Sequence, residues 1–313
     1  MRGTALVYSS HDRSPYIHRE LIVERALQGM RNKRILFLPM SETVQRGSEM
    51  ERQEFSWSNF SWYLDGFRKY GLEAIPFFWS SSLKHADLDA LWELLRWSEV
   101  VIFGGGHSLT GMQRYKQLGW SYDGEWGKVG RILHERRSDG LLTVGFSAGA
   151  DQLCESLHRR TRGDEVDGKG FGLLRNTMVT LHHDRSQNGD LAYAARRFPD
   201  HLVFGLPNDS GINHDFGVLP SGNLWQVYEF VVDESWDEPS DAFHIKTRMG
   251  ERVEHVYADG RSWRFNGGDL LVRVESPGRS FREAWIRSGG HWMHYGTQGS
   301  SRYSSVEEIL ASH

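Results

Sequence analysis

The chain has 313 residues, enough for one large domain or two smaller ones around a real core. Hydrophobic residues make up 39% and charged residues 25%, the ordinary balance of a soluble globular protein. A net charge of −4 with a pI near 6.4 speaks against nucleic acid or an anionic membrane as partner, and a single cysteine, Cys154, excludes an intrachain disulfide and fits a cytoplasmic location. Met1 to Ser10 has no long apolar h-region, so no secretory signal is expected. No apolar run approaches the ~20 residues that span a bilayer.

Thr4 to Tyr8 reads as a first buried strand, and Ser14-Pro15 as a helix start, with Leu21, Ala26 and Leu27 on the apolar side of that helix. Arg34 to Pro39 is a second strand, short and continuously apolar as in a parallel sheet. Residues 41–53 read as a polar loop at its end. Trp57, Phe60, Leu64 and Phe67 share one helix face. Leu72 to Trp79 is a third strand, Leu88, Leu91 and Leu95 mark a helix, and Val100 to Phe103 is a fourth strand running into Gly104-Gly105-Gly106. Residues 108–118 and 126–137 read as helices. Leu141 to Val144 is a strand leading into Gly145-Phe146-Ser147-Ala148-Gly149, after which the chain can be helical.

This alternation predicts an α/β fold, a doubly wound and mostly parallel sheet. Sites in such sheets lie off the carboxyl ends of the strands, where both glycine-rich segments fall. Val179 to Leu181 begins a further strand, residues 190–198 a short helix, and His201 to Leu206 another strand. Beyond about residue 212 the runs 224–232, 243–248, 253–257, 261–265, 269–275 and 282–287 are short and β-like, separated by turn signals such as Asp259-Gly260 and Gly289-Gly290. The expected organisation is an α/β domain over residues 1–222 and a C-terminal antiparallel β-rich extension over 223–313, with a last short helix around Val306, Ile309 and Leu310. Trp225, Trp263, Trp285 and Trp292 read as core.

G-x-S-x-G between a strand and a helix is the layout of a nucleophile elbow, in which a sharp turn exposes the serine. Flanking glycines leave room that a Cβ would fill. A serine hydroxyl needs a base, and the base needs an orienting group. His182 and His183 follow a strand directly, so either can serve, with His182 preferred. Asp164, Glu165 and Asp167 lie between serine and histidine; Glu165 is the first choice for the acid, and Asp209 a later alternative. The N–H groups of Ala148 and Gly106 are natural oxyanion donors. A phosphate cradle at the glycine run lacks the Gly-Lys-Ser/Thr that such a loop carries. No second cluster of ligand-type residues stands near His182-His183-Asp184, so neither a metal nor a cofactor is expected. In an α/β-hydrolase the histidine normally comes much later, near the domain's end; here a strand-end histidine follows Ser147 after 35 residues, which points to a different α/β fold.

Taken together, Ile102 to Gly106, Gly145 to Ala150, Gly172-Leu173-Leu174 followed by His182, and Phe198-Pro199-Asp200 leading to Gly205 to Ser210 resemble the peptidase E and cyanophycinase family. These are serine peptidases on a class I glutamine-amidotransferase-like fold. The resemblance covers roughly residues 4–230. It implies Ser147 as nucleophile, His182 as general base, Gly106 and Ala148 as oxyanion donors, a small aspartyl peptide or isopeptide as substrate, and a homodimer, as members of the family often are. Arg185, just past the histidine, is placed to pair with a substrate carboxylate. The chain departs from the family at His107, where Asn or Asp is usual, and at His183, where Phe is usual; both positions are expected to line the substrate pocket. The reading is a serine hydrolase acting through an acyl-enzyme. A binding module that has lost catalysis and a carboxylesterase using the same elbow are the alternatives.

Overall fold

Five short strands lie side by side: β1 (Ala5–Tyr8), β2 (Arg34–Leu38), β3 (Glu73–Pro76), β4 (Val100–Phe103) and β5 (Leu142–Phe146). All run parallel, in the order β1-β5-β4-β2-β3. The computed structural model describes residues 3–10, 16–29, 32–42, 63–158, 168–232, 252–277 and 282–313. The expected helix start at Ser14-Pro15, most of the loop 41–53, Trp57 and Phe60, the run 243–248, and Asp164, Glu165 and Asp167 lie outside the described residues.

Side chains alternate across a strand, and this sheet is apolar on both faces. Ala5, Val7, Leu36, Leu38, Val101 and Phe103 enter one core; Leu6, Tyr8, Ile35, Phe37, Val100, Ile102 and Val144 enter the other. The second face is covered by a π-helical segment, Ile17–Val23, that runs into α1 (Glu24–Leu27), and by α2 (residues 63–68). The first face carries α3 (His85–Trp97), α4 (Ser108–Asp123), α5 (Lys128–Ser138) and α6 (Ala148–Leu153). In α3 the buried residues Leu88, Leu91, Trp92 and Leu95 fall at helical spacing, and the Asp87 carboxylate accepts the Lys84 N–H at 2.8 Å to start the helix. Arg136 of α5 is buried and donates to the carbonyls of Leu95, Ser98 and Leu142, which ties the end of α3 to the start of β5.

The sheet does not stop at β1. On its other side run β8 (Ser210–Val218), β9 (Leu224–Val232), β12 (Leu270–Glu275), β13 (Arg282–Ser288) and β14 (His291–His294), all antiparallel. Five parallel and five antiparallel strands thus form one ten-stranded sheet among the described residues, the antiparallel run joining the parallel one where β8 pairs with β1. A second sheet, four-stranded among the described residues, holds β6 (Thr177–Leu181), β7 (Leu202–Leu206), β10 (Val253–Val256) and β11 (Ser262–Phe265), in the order β11-β10-β7-β6. Only its β6–β7 pair is parallel. Val179, Phe204, Leu206, Val253 and Phe265 of this sheet pack with Tyr228, Phe230 and Ile212 of the first. α7 (Asn188–Arg197) covers the second sheet's far side, and α8 (Val306–Ala311) covers the antiparallel half of the first.

The β8–β9 hairpin pairs Ser210 through Val218 with Val232 through Leu224, so hydrogen bonds cross residue 222 without a break. The C-terminal β-rich residues lengthen both sheets. Trp285 and Trp292 are buried in the core under α8, while Trp225 packs against that core and Trp263 against the main one.

Candidate functional site

The carboxyl ends of β4 and β5 are neighbours, with Phe103 opposite Gly145. Past them the two glycine segments meet. Ser147 has φ 49° and ψ −123°, a conformation that L-residues rarely adopt, and α6 begins at the next residue. The glycines on either side are sterically required. A Cβ on Gly145 would lie 2.4 Å from the Gly149 carbonyl oxygen, and one on Gly149 would lie 2.2 Å from that of Phe103. Helix α6 thus sits directly on β4 and β5. Gly106 has φ +122°, and a Cβ there would lie 2.1 Å from the Ser41 carbonyl oxygen. The chain then turns into α4, whose N-terminus is capped by His107.

A cavity of about 350 Å³ opens here, lined by Gly106, His107, Ser108, Ser147, Ala148, His158, Val179, Thr180, Leu181 and His182. Five of the residues singled out in the sequence, Gly106, His107, Ser147, Ala148 and His182, thus share one cavity. Neither Gly106 nor Ala148 donates its N–H to a described backbone group. The sixteen-residue helix α4 presents the positive end of its dipole to the same space.

His182 reaches the cavity from the second sheet, just past β6. It too has positive φ, 51°. Its N–H donates to Ser9 Oγ at 2.7 Å, and its Nδ1 meets Asn208 Oδ1 at 2.5 Å. An amide oxygen only accepts, so Nδ1 carries the proton and Nε2 is left as an acceptor. The Ser147 N–H donates to the Tyr8 carbonyl at 3.1 Å. Serine and histidine are therefore both hung from the end of β1.

His107 is exposed at the cavity rim. Its Nδ1 accepts the Thr110 N–H at 3.3 Å and meets Thr110 Oγ1 at 3.1 Å, so in the neutral ring the proton lies on Nε2. Glu42, beside Gly106, has its carboxyl raised by burial, against the lowering effect of the Arg114 guanidinium. The Cys154 thiol is buried below α6, and burial pushes its pKa well up, so it is no rival nucleophile.

Two assignments need correction. His183 does not line the cavity. It is fully buried, its Nδ1 meets Thr180 Oγ1 at 2.8 Å, and its Nε2 donates to Asn188 Oδ1 at 2.8 Å. Space for the ring exists because residue 205 is glycine: a Cβ there would lie 2.4 Å from His183 Cδ2. Arg185 does not line it either; its Nε is 3.4 Å from Glu254 Oε1. Conversely, two residues at the site escaped the sequence reading. Asn208 stands where an acid was sought, one residue before the alternative Asp209. His158 lines the cavity, with its N–H donated to Asp151 Oδ1 at 3.0 Å.

Among solved structures, a peptidase from an acI-B1 actinobacterium matches with a TM-score of 0.55 at 16% sequence identity, covering 86% of this chain and 96% of its own. At that identity the likeness shows a shared fold. A KaiC-like protein from the archaeon Pyrococcus horikoshii aligns at a TM-score of 0.26 and 9% identity over 85% of this chain and 90% of its own, too little to carry an argument. No family model and no curated protein matches the sequence.

Proposed function

We propose that the chain is a serine hydrolase that cleaves a small peptide through an acyl-enzyme, on an elbow of the peptidase E and cyanophycinase kind. The observation that carries this reading is the convergence of Ser147 and His182 on one cavity. Each is held in a backbone conformation that costs ~1–3 kcal/mol, a cost that persists where the surrounding structure enforces it.

In this reading Ser147 Oγ attacks the scissile carbonyl carbon while His182 Nε2 takes the hydroxyl proton. The carbonyl oxygen gains negative charge and turns to the N–H groups of Gly106 and Ala148, with the α4 dipole behind them. The imidazolium returns the proton to the departing amine as the C–N bond breaks. Water then attacks the ester by the same route, and Ser147 regains its proton. Asn208 keeps the imidazole in the productive tautomer throughout, acting as a positioning residue. It supplies an amide where a carboxylate would stabilise the imidazolium more strongly, so the base is weaker than in an aspartate-assisted triad. By resemblance, aspartyl peptides or isopeptides are the first substrates to try, with the His107 Nε2–H as a donor toward a substrate carboxylate.

The test compares wild type with Ser147→Ala on Asp-Xaa dipeptides, β-aspartyl isopeptides, longer peptides and simple esters, read by mass spectrometry. Turnover lost in the variant with an unchanged melting temperature supports the reading. Full activity in the variant, or cleavage of nothing by either protein, counts against it.

A further inference from the structure

Three consecutive residues, Val179, Thr180 and Leu181, border the cavity. Along a strand, successive side chains point to opposite faces, and they do so here. Val179 belongs to the core between the two sheets and Leu181 packs against it, whereas Thr180 Oγ1 turns the other way to His183. Two opposite faces do not open onto one cavity, but the edge between them does. Among the described residues β6 is an edge strand, paired with β7 along one side.

The hydrogen bonds say which groups lie on that edge. In a parallel ladder, alternate residues address alternate sides. The Leu202 N–H donates to the Asn176 carbonyl from the β7 side at 2.8 Å, and the Ser156 N–H donates to the Thr177 carbonyl from the opposite side at 3.4 Å. By that alternation Met178 and Thr180 face β7, while Val179 and Leu181 turn N–H and C=O to the cavity. No described residue outside the β6–β7 ladder pairs with the backbone of either. Val179 is only 1% exposed. Buried backbone groups are nearly always paired, and among the described residues these groups of the β6 edge are ones that a peptide's main chain can pair with. At its far end the ladder slips. His183, and not His182, donates to the Leu206 carbonyl, which lifts His182 out of register and toward Ser147's cavity.

We propose that β6 is the substrate-binding strand: an extended peptide adds to its open edge by backbone hydrogen bonds and so carries its scissile bond past Ser147. This rests on the peptidase reading above. Val179 and Leu181 stand about 6.6 Å apart at ~3.3 Å per residue. Filling both takes alternate residues on one side of the scissile bond, three residues there and at least one beyond it, so the substrate class is a peptide of at least four residues, recognised chiefly through its main chain. A dipeptide, with one residue on each side, covers half of the edge.

The test alters the peptide and leaves the protein intact. A library of acetylated pentapeptide amides is offered to wild type, and the cleaved member is resynthesised with single backbone N-methyl groups away from the scissile bond and as the dipeptide that flanks that bond. At least one N-methyl position and the dipeptide should raise KM by about tenfold, the loss of one good hydrogen bond, with kcat far less affected. Congeners with the parent's KM overturn the proposal while leaving the hydrolase standing. If wild type cleaves nothing, hydrogen exchange of the wild-type protein with the same library decides. Added protection of the Val179 and Leu181 amides retains β6 as a peptide edge and removes the hydrolase; no added protection removes both.

Discussion

Replacing Gly106 by alanine tests the oxyanion assignment and the backbone geometry together. The added Cβ would lie 2.1 Å from the Ser41 carbonyl oxygen, 2.4 Å from its carbon and 2.8 Å from the Glu42 nitrogen. All three are backbone atoms, so no side-chain rotation relieves the clash, and relief takes a movement of about 1 Å. The φ of +122° is itself closed to alanine, which adds ~1–3 kcal/mol of strain. At about 2–4 °C per kcal/mol the melting temperature should fall by several degrees. The catalytic effect is separate. An oxyanion donor works at 2.7–3.1 Å, and losing one costs about 10²–10³ in kcat. A loop displaced by about 1 Å no longer meets that distance, so kcat should drop by that factor with KM little changed, since the contact forms in the transition state. Gly127→Ala is the control, because a Cβ there meets nothing within 4 Å. The assay is steady-state hydrolysis of whichever peptide wild type cleaves, beside a thermal melt. A lowered melting temperature with wild-type kcat would refute the oxyanion role of Gly106 while leaving the steric argument intact; an unchanged melting temperature would refute the steric argument.

Further expectations concern the base and the core. Asn208→Asp places a carboxylate on His182 Nδ1 and stabilises the imidazolium, so the acid limb of the kcat/KM profile should move up by about one unit or more; an unmoved limb would show that Asn208 does not address the base. Burial lowers the pKa of His214 to about 3 and of His255 to about 4. The unfolded chain, with histidines near ~6.5, therefore binds more protons between those values, and stability falls as pH drops through that window. At pH 5 the loss is about 2 kcal/mol for each. Urea midpoints at pH 8 and pH 5 measure it, and equal midpoints would contradict it. Arg136→Met strips the donor from the carbonyls of Leu95, Ser98 and Leu142. Unpaired buried acceptors cost ~1–3 kcal/mol each, so unfolding should ease by about 3 kcal/mol; a loss below about 1 kcal/mol would mean that water takes over the guanidinium's place.

Much of the architecture could be read from short-range pattern. The five apolar runs ahead of Ser147 became the parallel strands because each is short, continuous and bounded by turn residues. The glycine run and G-x-S-x-G were legible because a missing Cβ marks a close approach whatever lies opposite. What stayed hidden depends on distant partners. β8 carries Gly211, Asn213, His214, Asp215 and Gly217, a poor strand by composition, and it forms because β1 and β9 flank it. His182 and His183 are the same residue type, side by side. One reaches the cavity and the other the core because Asn208, Asn188 and the space over Gly205 sort them. An amide that orients an imidazole across 26 positions leaves no spacing signature.

The dependence of both Ser147 and His182 on β1 has a consequence for how the protein is made. Tyr8 pairs with Phe146 on one side and Gly211 on the other, so the strand that positions both groups waits for partners far along the chain. Closing such loops is slow, and a nascent chain emerges from its amino end. β1 is thus synthesised well before the strands that complete it. Until residues past 210 are free to pair, the serine turn lacks one of its neighbours and the histidine's strand has not yet met the first sheet. The order of translation itself therefore delays the meeting of Ser147 and His182 in one cavity.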